Sequence, residues 1–123
     1  MKHSLWIVLL SCVCLAPLTS CGHKTGVEQL SPADKRAFDQ APADLKTQWT
    51  AALQAGETND YVGAQTLLYG LLNQTLSPEQ KQAVGKGLSS LNDRLYSALA
   101  KGDPEAQKAI EELRRNPPNR PPR

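Results

Sequence analysis

Few side chains in this chain can do covalent or metal chemistry, and they crowd one end. The three cysteines, Cys12, Cys14 and Cys21, and the two histidines, His3 and His23, all lie before residue 24. His23 stands beside Lys24 with no second ligand near it in sequence. A zinc-type centre needs several converging ligands, so no metal is expected. A Ser-His-Asp or Cys-His arrangement would have to use His23, in a stretch without helical periodicity, a poor place for preorganised catalysis. No Gly-x-Gly-x-x-Gly, Walker loop or His-Glu-x-x-His occurs. Gly85 and Gly87 fall inside a helical pattern and do not read as a phosphate loop. Two carboxylates can share acid–base work, and the available pairs are Asp34 with Asp39 and Glu111 with Glu112. Their positions read as solvated helix faces and complements to helix dipoles. No catalytic residue, cofactor or small-molecule ligand is therefore expected, and a diverged enzyme is the weakest functional alternative.

The cysteine best placed for a reaction is Cys21. Lys2 supplies a positive start, Leu5 to Leu18 is apolar apart mainly from Ser11, and the small residues Thr19 and Ser20 follow. This is the layout of a secretory signal. A spanning helix needs roughly 20 apolar residues. Leu5–Leu18 is shorter, contains Pro17 and runs into polar Gly22-His23-Lys24, so it is not expected to stay in the membrane.

Leu18-Thr19-Ser20-Cys21 resembles the lipobox of bacterial lipoproteins, and the resemblance covers the first 21 residues. It implies cleavage between Ser20 and Cys21. It further implies a diacylglycerol thioether on the Cys21 thiol and a new amine open to a further acyl chain such as palmitate. Each buried methylene contributes about 0.8 kcal/mol, and stable anchoring takes more than one chain. Two or three chains on one residue meet that condition. Leu9-Leu10-Ser11-Cys12 fits the same four-letter pattern, but its apolar core would be only Leu5–Leu10, below the roughly 7–15 residues such cores need. Cys12 and Cys14 would leave with residues 1–20 and Cys21 would be acylated, so no free thiol or disulfide is expected. Gly22 stands where an Asp often marks inner-membrane retention in Gram-negative lipoproteins. The resemblance therefore favours the periplasmic side of the outer membrane in such a host.

Charge is segregated along the chain. Residues 21–113 carry nine Lys/Arg and twelve Asp/Glu, whereas residues 114–123 carry four Arg and no acid. An acidic body and an export signal both argue against nucleic acid. The basic tail can touch acidic lipid or an acidic protein surface.

The elements that position these groups read as helices. Residues 21–30, with two glycines and no periodicity, read as a flexible tether. Ser31-Pro32-Ala33-Asp34 starts a first helix, with Ala37 and Phe38 on its apolar face and Pro42 breaking it. Leu45, Trp49, Ala52 and Leu53 make one stripe of a second helix, with Gly56 as its stop. A third, from Asp60 to Gln74, carries Tyr61, Ala64, Leu67, Leu68, Leu71 and Leu72. Gly63 and Gly70 cost it about 1 kcal/mol each against Ala, tolerable if a neighbouring helix approaches closely. Ser77-Pro78-Glu79-Gln80 is a capping box opening a fourth helix to Lys101, with Val84, Leu88, Leu91, Leu95 and Leu99 inward. Asp103-Pro104-Glu105 opens a fifth, with Ala106, Ala109, Ile110 and Leu113 inward. Residues 116–123 are too rich in proline for helix and read as a disordered or polyproline II tail. The expected fold class is all-α: a small bundle or hairpin array of four to five helices over residues 31–115, after a cleaved signal peptide.

Residues 45–76 resemble a tetratricopeptide-like helical hairpin, with Trp49 in the first helix and Tyr61, Ala64, Leu68 and Leu71 at that family's spacings in the second. The turn from Gly56 to Tyr61 is three residues longer than the family's. The resemblance implies protein–protein binding. Trp49 and Tyr61 are expected in the core. Tyr69 falls off the leucine stripe and is the candidate partner contact. The expected protein is a bacterial envelope lipoprotein, held to the bilayer by acylated Cys21 and binding an unidentified envelope protein. The alternative is a small lipoprotein acting directly on the membrane.

Overall fold

The computed structural model describes residues 30–119. These form five α-helices and, among the described residues, no strand: α1 (Pro32–Arg36), α2 (Ala43–Glu57), α3 (Tyr61–Leu72), α4 (Pro78–Ala100) and α5 (Pro104–Arg115). The chain is an all-α bundle. Short connections turn each of the last three helices back on its predecessor. α2 and α3 form the most extensive pair, α3 and α5 both pack on α4, and α1 lies across α4. At 1.5 Å per residue the 23-residue α4 is about 35 Å long, long enough to touch every neighbour that needs a wall. No described helix is long and apolar enough to cross a membrane.

Local sequence explains most helix starts. Ser31 and Ser77 each head a complete capping box, with Asp34 and Gln80 returning the bond to the cap backbone. Proline follows both serines at the first helical position, where its missing N–H is no loss. Asp60 caps α3 through the Gly63 amide, and Asp103 caps α5 through the Glu105 and Ala106 amides.

The core holds Phe38, Val84, Leu71, Leu91 and Leu95 as its largest fully buried side chains. Trp49 and Tyr61 are buried there too, as their spacing predicts. Phe38 stacks on Trp49 with ring centroids 4.8 Å apart and planes 21° apart, an arrangement worth about 0.5–1.5 kcal/mol beyond area burial.

Four boundaries depart from the sequence reading. Leu30, read as the end of the tether, is buried in the core and so belongs to the folded domain. α1 ends at Arg36 rather than running to Pro42. Tight turns from Ala37, Asp39 and Ala41 back to the third residue before each then swing Phe38 onto Trp49. Gly56 does not stop α2: it is buried inside the helix, and its carbonyl accepts a 2.7 Å bond from Arg94 on α4. The left-handed residue is Asn59 (φ 62°), a conformation asparagine tolerates better than most. α3 ends at Leu72, short of Gln74.

The helical glycines have different reasons. Gly70 makes room for Gln48 of α2, whose amide nitrogen would lie 2.6 Å from an added Cβ and which donates to the Leu67 carbonyl. Gly63 makes room for its own cap, the Asp60 carboxylate. A close approach from another helix therefore explains one of the pair.

Candidate functional site

Cys21, Ser20 and His23, and with them the anchor and the cleavage position, lie outside the described residues. The four carboxylates singled out by sequence are not brought together as acid–base pairs. Asp34 is not on a solvated face: it is buried. Its carboxylate accepts from the Ser31 hydroxyl at 2.7 Å and the Ser31 amide at 3.0 Å, and it meets the Lys86 ammonium of α4 at 3.0 Å. The Ser31 hydroxyl foremost, then Lys86, hold its pKa below the usual carboxylate value, against opposing desolvation. Asp34 therefore latches α1 to α4. Asp39 is exposed in the turn that follows α1. Glu111 and Glu112 flank Arg115 at 3.9 and 4.0 Å, an exposed cluster within α5. Among the described residues no group of three or more His, Cys, Asp or Glu is placed to hold a metal ion.

Two grooves border α5. The larger, about 690 Å³, lies between the α2–α3 turn and α5 and contains Asp60, Asp103, Glu105 and Lys108. Its charges have local partners. Asp60 and Asp103 are helix caps, and Glu105 holds Lys108 at 2.8 Å, which raises the lysine's pKa. Such exposed pairs contribute little to stability.

The second groove, about 340 Å³, follows the seam of α3, α4 and α5. Its apolar wall is Tyr96 and Leu99 of α4 with Ile110 and Leu113 of α5. Tyr96 is 60% exposed, the most open large apolar side chain among the described residues. At the floor, buried Gln65 of α3 donates from Nε2 to Asn92 Oδ1 of α4 at 2.7 Å. Arg114 borders the groove and makes no ion pair among the described residues.

Tyr69, the aromatic expected to face solvent, is half-buried and packs against the core. Tyr96 takes the exposed position instead. Sequence reasoning passed over it because it follows Leu95 directly and so sits one place off the leucine stripe. The available signal was the end of each stripe. Leu99, Ile110 and Leu113 are only partly buried where α4 and α5 run together, so their apolar surface is not fully used by the fold.

No protein family, curated protein or solved structure matches this chain.

Proposed function

We propose that this chain is a bacterial envelope lipoprotein, a non-enzymatic helical module tethered to the bilayer through acylated Cys21. The observation that carries the reading is Leu18-Thr19-Ser20-Cys21 at the end of a short apolar run. A helical domain whose core includes Leu30 supports it, with residues 22–29 as the proposed link between lipid and fold. At about 3.3–3.6 Å per residue, that link lets the domain stand up to about 30 Å from the anchor. The helical surface then serves to bind another envelope protein, with the periplasmic side of the outer membrane as the location in a Gram-negative host.

Mass spectrometry of the membrane-extracted protein tests the anchor. A mature N-terminus at Cys21 carrying acyl mass is expected, with Cys21→Ala retaining residues 1–20. An N-terminus elsewhere in the wild type would sink the anchor. Cross-linking in host membranes tests the partner: one recurrent envelope protein supports the adaptor. Leakage of periplasmic contents on overexpression, with no partner captured, would favour direct action on the membrane.

A further inference from the structure

We infer that the groove along the α4–α5 seam binds an extended, acidic peptide segment of the partner, with one apolar side chain seated against Tyr96. The inference deepens the adaptor reading and rests on it. Three properties of the groove select this occupant.

The first is charge. The body of the domain carries an excess of acid, yet the groove lining contains no carboxylate and one cation, Arg114. A cation in a carboxylate-free groove on an acidic domain draws acidic segments in and repels basic ones.

The second is the amide pair. Gln65 and Asn92 spend one donor and one acceptor on each other. Gln65 Oε1 and Asn92 Nδ2 take no other partner among the described residues, and neither is sealed from solvent. One acceptor beside one donor complements a single peptide unit. Turning both amides over would leave the same complement, with Gln65 donating and Asn92 accepting. A helical ligand has no mid-chain N–H or C=O free to meet such a pair; an extended chain does.

The third is the apolar wall. Tyr96, Leu99, Ile110 and Leu113 offer a short apolar strip suited to one anchoring side chain. A rigid aromatic beside an arginine is the composition that dominates binding energy at interfaces.

The test uses the full chain purified from membranes in detergent. Fluorescence anisotropy would follow a short labelled peptide of Glu, Pro and Leu, against its counterpart with Lys for every Glu. The Glu peptide is expected to bind and the Lys peptide not. Arg114→Glu should reverse that preference, and Tyr96→Ser should weaken the Glu peptide about tenfold. Both positions are exposed, so unchanged helical circular dichroism would confirm intact folding. Failure of the Glu peptide to bind, or binding indifferent to both substitutions, would overturn the inference. So would Arg114-dependent binding of anionic vesicles in place of peptide, or self-association abolished by Tyr96→Ser. If the cross-linked envelope partner is still captured by the Tyr96→Ser/Arg114→Glu variant, the groove assignment falls and the adaptor reading stands. If the wild type captures none, the adaptor reading itself falls.

Discussion

The two sides of α4 are built to different standards. Along the side facing α1, α2 and α3, contact is saturated. Ala83 and Val84 are wholly buried, and an added Cβ on Gly87 would sit 3.6 Å from Leu68. Lys86 and Arg94 reach across to Asp34 and to the Gly56 carbonyl. Along the side facing α5, Tyr96 stands open, Leu99 is half-covered and the Gln65–Asn92 pair keeps spare bonding capacity. The same helix thus acts as a structural spine on one side and leaves unspent surface on the other. The lesson is that where a small domain uses every group for its own fold, little is left to recognise a partner. Unspent groups along a seam are where recognition has room.

Substitutions at the two sides should separate this contrast. Trp49→Ala is expected to have the largest effect. It removes the buried stack with Phe38 and the bond from Nε1 to the Lys35 carbonyl at 3.2 Å. Loss of a buried aromatic typically costs about 3–5 kcal/mol, readable as a lower midpoint in urea. A small change would mean α1 is not docked as described.

Arg94→Ala comes next. It removes the charged donor from the Gly56 carbonyl, leaving that oxygen only the 3.3 Å bond from the Asn59 amide, and frees the Asn59 side chain. Bonds to charged groups contribute about 1.5–3 kcal/mol, and the α2–α3 turn should gain amide exchange before the rest of the domain. Exchange rising equally everywhere would argue against a local clamp.

Ser90→Ala should act in the opposite direction. The Ser90 hydroxyl is buried on α4 without a hydrogen-bond partner. Removing it should raise stability by about 1 kcal/mol, which a thermal melt would register; a loss would reveal a hidden partner.

The Asp34 latch should be conditional on pH. Its folded pKa is lowered, so its stabilisation is present above its unfolded pKa of about 3.9 and fades as pH falls through the lower folded value. Asp34→Asn should therefore narrow the gap to wild type in acid, measured by urea titration at successive pH values. A constant gap across that range would show that the carboxylate's charge is not what holds α1.

Tyr96→Ala belongs to the open side and should be the quietest. Surface changes away from packed features usually stay within about 0.5 kcal/mol. A large loss would mean the seam is part of the core and not a surface with binding capacity.

Several of these distinctions were visible in the sequence and others were not. Ser77-Pro78-Glu79-Gln80 and Asp103-Pro104-Glu105 announced their helices because capping is a local matter, decided within four residues. The stripes through Trp49, Leu68, Leu71, Leu91 and Leu95 named the core because periodicity alone sets which side chains share a face. Gly56 misled because its usual role as a helix stop is a preference of the isolated chain. Here an arginine from another helix satisfies the carbonyl and packing keeps the helix going. Asp34 misled in the same way: nothing near it in sequence shows Lys86, which arrives from 52 residues on.

The amino-acid sequence by itself determined the fold class, most helix starts, the central leucine stripes and the segregation of charge toward the end of the chain. These follow from interactions within a turn or two, or from simple counting. Which aromatic reached solvent, Tyr96 rather than Tyr69, was decided only when helices packed, as was the meeting of Gln65 with Asn92. The physical reason is that a helix offers its neighbours a stripe but does not say how wide a part of it they will cover. That width depends on the angle and length of the partner helix, and α5, at 12 residues, leaves part of the seam uncovered.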